Sequence, residues 1–171
     1  MAEHLLVRPI GPEDAPWVAA QSVELGGPVI VASARLMDLR AQPGWIAERR
    51  GAQAGFLIHA DEAPLMGPSG ALELLAIKSV RRRRGVGARL LAAAEGLARD
   101  RGATRLRVET TDDNRGAIAF YRACGFSIRA RHVGGFELVR RLKDLPQDRE
   151  IMGQTGRPIR DVIELEKILS R

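Results

Sequence analysis

The sequence of 171 residues contains a single cysteine, Cys124, and only 4% aromatic residues. One thiol cannot form a disulfide within the chain, and such sparse use of cysteine is typical of a reducing compartment. No run of 18 apolar residues is present, which argues against a membrane-spanning helix. Residues 1–10 (MAEHLLVRPI) lack the charged and then apolar pattern of a signal peptide. We therefore expect a cytoplasmic protein without membrane contacts.

Side chains that bind metals or act as nucleophiles are equally scarce. The three histidines, His4, His59 and His132, are far apart in the sequence. His4 is expected to be solvated, and the other two to have structural roles. No base is placed beside Cys124, so we interpret it as a packing residue of a helix. The sequence therefore predicts neither a metal site nor a cysteine nucleophile.

The net charge of +6 is unevenly distributed along the chain. Residues 1–70 contain 5 Arg against 8 Asp and Glu, whereas residues 71–171 contain 22 Lys and Arg against 13 Asp and Glu. The second part should therefore attract anions. Nucleic acid is one such partner, but we disfavour it because aromatics are few and no recognition helix or stacking platform is apparent.

Apolar periodicity predicts one domain over residues 1–171 that is large enough to bury a core. The predicted strands are 5–10, 45–49, 54–60, 71–77, 104–110, 126–133 and 161–169, and the predicted helices are 12–23, 33–39, 86–101 and 115–123. Residues 61–70 are predicted to form a loop, and 134–158 a long excursion with one helical turn near 136–141. This order indicates an α/β (α+β) domain around a mixed sheet.

Residues 72–87 (LELLAIKSVRRRRGVG) have the features of an anion-binding turn. An apolar strand leads through four arginines into the start of a helix. The N–H groups of a first helical turn lack intrahelical partners, and the helix dipole adds positive potential there. Gly85 and Gly87 would let a phosphate approach the main chain without meeting a Cβ. We therefore expect a ligand that carries phosphate groups.

Two motifs follow each other in this part of the chain, with one predicted strand between them. Residues 82–87 (RRRGVG) match the pattern (Gln/Arg)-x-x-Gly-x-(Gly/Ala), and residues 114–126 (NRGAIAFYRACGF) match Asn-x-x-Ala-x-x-Phe-Tyr-x-x-x-Gly-Phe. With both motifs in this order, the chain resembles the GNAT superfamily of acyl-CoA-dependent N-acetyltransferases over about residues 71–126. The resemblance implies a mixed, mostly antiparallel sheet, flanked by helices, with a splay between the two central strands.

The resemblance also implies acetyl-CoA as co-substrate and no metal. The main chain at 82–88 would hold the pyrophosphate, and the strand edge at 76–78 would pair with the pantetheine arm as an added strand does. One N–H of that edge would stabilise the oxyanion. The implied cofactor-binding residues are Ala76, Ile77, Lys78, Arg82, Arg83, Arg84, Gly85, Val86, Gly87, Ala88, Asn114, Ala117 and Tyr121.

Candidate catalytic residues are few. Tyr121 is the only tyrosine, and the resemblance implies that it protonates the departing CoA thiolate, as a neutral phenol can. The alternative is a core aromatic. For the general base, Glu73 is the first candidate because it is an acidic residue inside an apolar strand. Glu109 is the second. A salt-bridged role for Glu73, or a water chain without a single base, remains open.

The sequence thus predicts an N-acetyltransferase in which a primary amine attacks acetyl-CoA directly. The acceptor could be a small amine, an antibiotic, an amino acid or a peptide amine. The acidic balance of residues 1–70 is compatible with a cationic acceptor such as a polyamine or an aminoglycoside. A CoA-binding sensor without turnover and a nucleic-acid-associated protein are the alternatives. Dimers are common in the family, so the resemblance leaves a homodimer open.

Overall fold

The computed structural model describes residues 5–60, 70–80 and 85–170. The strands are β1 Leu5–Pro9, β2 Val29–Ala32, β3 Arg35–Asp38, β4 Gly44–Arg49, β5 Ala52–His59, β6 Ala71–Ser79, β7 Arg105–Thr111, β8 Ser127–His132 and β9 Val162–Ile168. The α-helices are α1 Ala15–Gln21, α2 Val86–Asp100, α3 Arg115–Ala123 and α4 Phe136–Leu142. None of the helices in these ranges is both long and apolar enough to cross a membrane.

Seven strands form one sheet in the order β1-β4-β5-β6-β7-β9-β8. All neighbouring pairs are antiparallel except β6 and β7, which are parallel. The remaining two strands, β2 and β3, form a separate hairpin. The predicted mixed, mostly antiparallel sheet is therefore confirmed, with β6 and β7 near its centre.

The two central strands separate along their length. β6 pairs with β7 only from Ala71–Arg105 to Leu74–Val108. Beyond this point β6 continues beside β5 as far as Ser79, and β7 continues beside β9 as far as Thr111. The far halves of β6 and β7 thus each keep one neighbour and no longer pair with each other. The expected splay is confirmed, and it leaves main-chain groups of β6 facing a gap.

Apolar side chains pack on both faces of the sheet. One cluster joins the sheet to α2 and includes Leu90 and Leu106, and the other lies against α1 and includes Val18 and Phe56; all four are fully buried. Strand β7 alternates buried and partly buried residues, as its sequence predicts. The sheet is therefore a rigid support from which the splay opens.

The predicted helix over 33–39 is wrong, because this segment belongs to the β2–β3 hairpin. Residues 29–31 are Val-Ile-Val, and such β-branched residues favour strands. Ser33 and Ala34 have φ values of 46° and 60°, so the connection is a two-residue turn with both residues left-handed, which matches the twist of a hairpin. Neither is a typical residue for that turn, so the sequence signal was weak.

Residues 134–158 contain more helix than predicted. The single turn expected near 136–141 is the seven-residue helix α4. After α4, an isolated bridge between Met152 and Pro158 folds the chain back on itself, and the Gln154 N–H donates to Asp113 Oδ2 at 3.0 Å. The excursion is thereby attached to the segment that precedes α3.

Gly96, in the middle of α2, provides a test of the helix assignment. A Cβ built there meets no atom within 4 Å, so Gly96→Ala is expected to stabilise the fold by about 0.5–1 kcal/mol through backbone entropy. Urea denaturation would measure this. Gly85→Ala is the contrasting control, because Gly85 has φ +73° and its replacement should destabilise. A loss of stability in Gly96→Ala would contradict the assignment.

An ion pair between Arg8 and Asp14 ties β1 to the start of α1. The guanidinium bonds both Asp14 oxygens at 2.8 Å, and the Arg8 hydrogen bonds, helped by Gly11 N–H and Gln53, lower the Asp14 pKa to about 2 against the opposing effect of burial. The folded pKa lies below the unfolded one, so this stabilisation is present above about pH 4 and is lost as the pH falls towards 2.

Asp14→Asn is accordingly expected to destabilise the protein by about 2 kcal/mol at pH 7. The difference between wild type and variant should shrink as the pH is lowered from 4 to 2.5. Urea denaturation of both proteins across this range would measure it. A difference that stays constant with pH would show that the charge of Asp14 is not what stabilises the fold.

Candidate active site

A groove of about 1410 Å³ opens where β6 and β7 separate. Its lining residues come from five groups: the far halves of β6 and β7; the first turn of α2; α3 with the two residues before it; the adjoining ends of β8 and β9; and a cover formed by the β2–β3 hairpin, the turn at 23–26, α4 and the segment that follows α4. Pockets for one small ligand measure roughly 300–1,000 Å³. The groove therefore has room for two ligands side by side.

The N-terminus of α2 forms one wall of the groove. Gly85, Val86, Gly87 and Ala88 all line it. Gly85 is the N-cap with φ +73°, a conformation that favours glycine, and α2 has no side-chain cap. Within the part of the chain that the structure describes, the N-cap therefore leaves the N–H groups of the first turn without a side-chain acceptor, as anion binding requires. Arg82, Arg83 and Arg84 lie outside the described residues, so their role stays a prediction.

Gly87 has a packing role that the sequence did not reveal. A Cβ at this position would lie 2.7 Å from Phe120 Cζ, closer than real side chains approach. The absence of a Cβ therefore lets α2 pack against α3, and this contact joins two walls of the groove. The sequence predicted phosphate access at Gly87 but not this contact with Phe120.

The edge of β6 forms the floor of the groove. Ala76, Ile77 and Lys78 all line it, beyond the last pair with β7. The Lys78 ammonium forms an ion pair with Glu24 on the other side, so its charge is already partnered. This stretch is available for main-chain hydrogen bonds to an extended ligand.

Asn114 and Ala117 also line the groove, at the N-terminus of α3. Asn114 Oδ1 accepts a hydrogen bond from the Ala117 N–H at 3.2 Å, and its Nδ2 donates to Thr110 Oγ1 at 3.2 Å. The first bond is an N-cap. Asn114 thus caps α3, and its contact with a cofactor remains a proposal.

Tyr121 lies in α3 between two other aromatic rings and lines the groove. Its ring centroid is 5.4 Å from that of Phe120 and 5.2 Å from that of Phe126, and only 3% of the residue is exposed. This burial raises the pKa of the Tyr121 phenol well above its usual range. The phenol is therefore neutral over the whole physiological range, as a proton donor must be.

The two candidate bases both contact Ser33 in the hairpin turn. Glu109 lines the groove; its Oε2 accepts from the Ser33 N–H at 3.2 Å, and its Oε1 accepts from Arg107 at 2.9 Å. Glu73 accepts from the Ser33 hydroxyl at 2.5 Å and is not among the described residues that line the groove. The geometry thus places the second candidate, rather than the first, beside the gap.

Pairing of β8 with β9 brings His132 and Glu164 together, which the sequence did not indicate. His132 lines the groove, and its Nε2 donates to Glu164 Oε2 at 3.1 Å. The ligand atoms of Glu109, His132 and Glu164 all lie within 4.8 Å of one another. The alternation in 161–169 was the available signal, but it could not show that Glu164 faces a histidine.

Arginines neutralise this cluster. Arg107 Nε lies 2.8 Å from Glu164 Oε1, and Arg129 bonds the same oxygen. Burial by itself would raise the Glu164 pKa, but the hydrogen bonds from Arg129 and His132 and the nearby Arg107 charge outweigh it and lower the pKa. We therefore assign the three residues to an ion-pair network rather than to a metal site.

A family model supports the assignment of the fold. The model described as the acetyltransferase (GNAT) family matches residues 16–126, and the chain belongs to this family. Among curated proteins, it is 33% identical over 100 residues to the uncharacterized protein YxbD of Bacillus subtilis (strain 168). The match covers 58% of this chain and 60% of that protein, so the chain spans less than two thirds of the length of this relative.

Solved structures share the fold at low sequence identity. IAA acetyltransferase from Bacillus cereus ATCC 14579 is 21% identical with a TM-score of 0.69, covering 97% of this chain and 100% of that one. A GNAT family acetyltransferase from Elizabethkingia anophelis with acetyl-CoA bound is 20% identical with a TM-score of 0.66, covering 96% and 98%. A Bacillus subtilis acetyltransferase in complex with CoA is 22% identical with a TM-score of 0.60, covering 77% and 80%.

Proposed function

We propose that the protein is an acetyl-CoA-dependent N-acetyltransferase that transfers an acetyl group to a primary amine by direct attack. The observation that carries this proposal is the position of three features on one groove: the unpaired edge of β6, the N-terminus of α2 and the phenol of Tyr121. Family membership and the CoA and acetyl-CoA complexes of structural relatives support it.

Acetyl-CoA is placed by two main-chain elements in this proposal. Its pyrophosphate binds the free N–H groups at 85–88, where the α2 dipole adds positive potential. Its pantetheine arm extends along 76–78 as an added strand. The thioester then lies in the gap between β6 and β7, with Tyr121 on one side and Glu109 on the other.

The reaction needs one nucleophilic attack, the loss of two protons from the acceptor nitrogen and the gain of one proton by the CoA thiolate. The acceptor ammonium gives a proton to Glu109, and the free amine attacks the thioester carbonyl carbon. A main-chain N–H near Ile77 stabilises the resulting oxyanion. The C–S bond then breaks, and the CoA thiolate takes the proton of the Tyr121 phenol. The acetylated nitrogen gives up its second proton, which returns to the Tyr121 phenolate, and Glu109 releases its proton to solvent. The products are the N-acetylated amine and free CoA.

Glu109 is the base in this proposal because it lines the gap, whereas Glu73 is held by the Ser33 hydroxyl. Contacts to Ser33 N–H and Arg107 keep the Glu109 carboxylate in place. Glu73 remains the alternative base, and the variants Glu109→Gln and Glu73→Gln compare the two directly.

A thiol-release assay tests the proposal. The purified protein is mixed with acetyl-CoA and a panel of small amines, amino acids, antibiotics and peptides, and free CoA is measured with a thiol reagent; acetyl-CoA binding is measured separately by calorimetry. We expect amine-dependent release of CoA. Tight acetyl-CoA binding without release for any amine would instead favour a CoA-binding module without turnover.

A further inference from the structure

We propose that the acceptor of this enzyme is a primary amine attached to an apolar body, with one cationic centre, rather than a polyamine or an aminoglycoside. This inference rests on the proposed function for its location. It concerns the half of the groove under the cover, defined here as the hairpin β2–β3, the turn at 23–26, α4 and residues 143–159.

The surface of this half is predominantly apolar. Aliphatic and aromatic side chains from all four segments of the cover line it, including Leu25, Ile30, Val31, Phe136, Val139 and Ile151. Each such side chain favours contact with hydrocarbon over contact with a hydrated polar body. A ligand rich in hydroxyl and ammonium groups would lose hydration there without gaining partners.

The mouth of the groove is also lined by apolar side chains. Val23, Leu138 and Met152 are 73%, 39% and 55% exposed, come from three separate segments of the cover, and all line this one groove. Large apolar side chains left exposed around a concave site indicate an apolar ligand. The three residues are called the rim below.

The charges of the groove do not suit a polycation. Among the described lining residues, the acids are Glu24, Glu109 and Asp113. A total of three basic residues, each a lysine or an arginine, balances their charge. Glu24 is paired with Lys78, and Glu109 is paired with Arg107. The surplus of acidic residues in 1–70 therefore does not produce an acidic acceptor site.

The Glu109 carboxylate can bind one ammonium group of the acceptor. It is the acid in the proposed position for the reacting nitrogen, and because its carboxylate is also paired with Arg107, it matches one further cationic centre at most. The acceptor is thus a single amine attached to a hydrocarbon body. It could come from an aryl- or alkylamine, or from the N-terminus of a peptide that begins with apolar residues.

The test measures binding separately from turnover. Calorimetry on the protein saturated with CoA would compare 2-phenylethylamine, the dipeptide amide Leu-Phe-NH₂ and spermidine at 150 mM salt. We expect at least one apolar amine to bind about 10-fold more tightly than spermidine, a preference typical of a single well-placed apolar group. Which of the two binds distinguishes a small amine from a peptide. Equal or tighter binding of spermidine, or binding of none of the three, would overturn the inference.

Variants of the rim complete the test. Met152→Glu should weaken binding of the preferred apolar amine by about 5-fold or more and improve that of spermidine, since a carboxylate replaces an apolar contact. Ile128→Glu is the matched control: Ile128 is 50% exposed, lies in β8 and is not among the described lining residues. An equal effect of both substitutions would contradict a specific role of the rim.

The two proposals can fail independently. Binding of an apolar amine to the CoA complex without thiol release would refute acetyl transfer to that amine and keep the assignment of the groove. Thiol release with spermidine at a higher kcat/KM than with apolar amines would confirm acetyl transfer and overturn the acceptor class.

Discussion

Replacing Tyr121 with Phe is expected to lower kcat by about 100-fold, the usual contribution of a positioned general acid. The ring and its contacts with Phe120 and Phe126 stay in place, so acetyl-CoA affinity should change little. Steady-state kinetics and calorimetry with acetyl-CoA would measure the two quantities. An unchanged kcat would remove Tyr121 from the mechanism and leave it as a core residue.

The pH profile provides an independent check on Tyr121. A proton donor is competent below its pKa, and burial raises the pKa of this phenol. The donor form should therefore persist to higher pH than that of a solvated tyrosine, which ionises near about pH 10. We expect kcat/KM to rise with pH as the acceptor loses its proton, without a decline below about pH 10 from this phenol. A decline that begins near pH 8 and is absent in Tyr121→Phe would contradict this.

The second large effect is expected for Glu109→Gln. Removing the base should lower kcat/KM by about 100-fold at pH 7, and the loss should diminish at high pH, where more of the amine is already deprotonated in solution. The glutamine can still accept the Ser33 N–H bond, which keeps the hairpin turn in place. Kinetics from pH 7 to pH 10 would measure both effects.

Glu73→Gln is the direct comparison for this variant. Both carboxylates accept a hydrogen bond from Ser33, and the two variants carry the same change in charge. If Glu73 is the base, its substitution will show the larger and pH-dependent loss. Small losses in both variants would indicate deprotonation through a water chain, and would remove Glu109 from the proposed mechanism.

Local sequence patterns predicted the elements of the groove that lie outside the cover, namely α2, α3 and β7. Helix α3 begins and ends at the predicted residues, because an N-cap Asn, a short apolar pattern and a following glycine are all local signals. The start of α2 and the alternation in β7 were predicted for similar reasons. The hairpin at 29–38 was not predicted. Its turn residues are Ser33 and Ala34, whereas glycine or asparagine would have indicated a hairpin turn.

The choice between the two bases depended on contacts that no local pattern records. Ser33 and Glu109 are 76 positions apart in the sequence, and Ser33 and Glu73 are 40 apart. The predicted helix over 33–39 gave no indication of either contact. A helix there would not place the turn residue Ser33 beside both carboxylates. The sequence could name Glu73 and Glu109 as acids on neighbouring strands, but not which of them lines a groove.

The order of residues along this chain was enough to predict its family and the start of α2 after Gly85, because the motifs that carry these features are short and contiguous. The tertiary structure alone decided where β6 and β7 part, which acid faces the gap, that His132 meets Glu164, and that the cover is apolar. These properties arise from strand register and from packing between distant segments, and a shift of one residue in register would have reversed the face that each of these side chains presents.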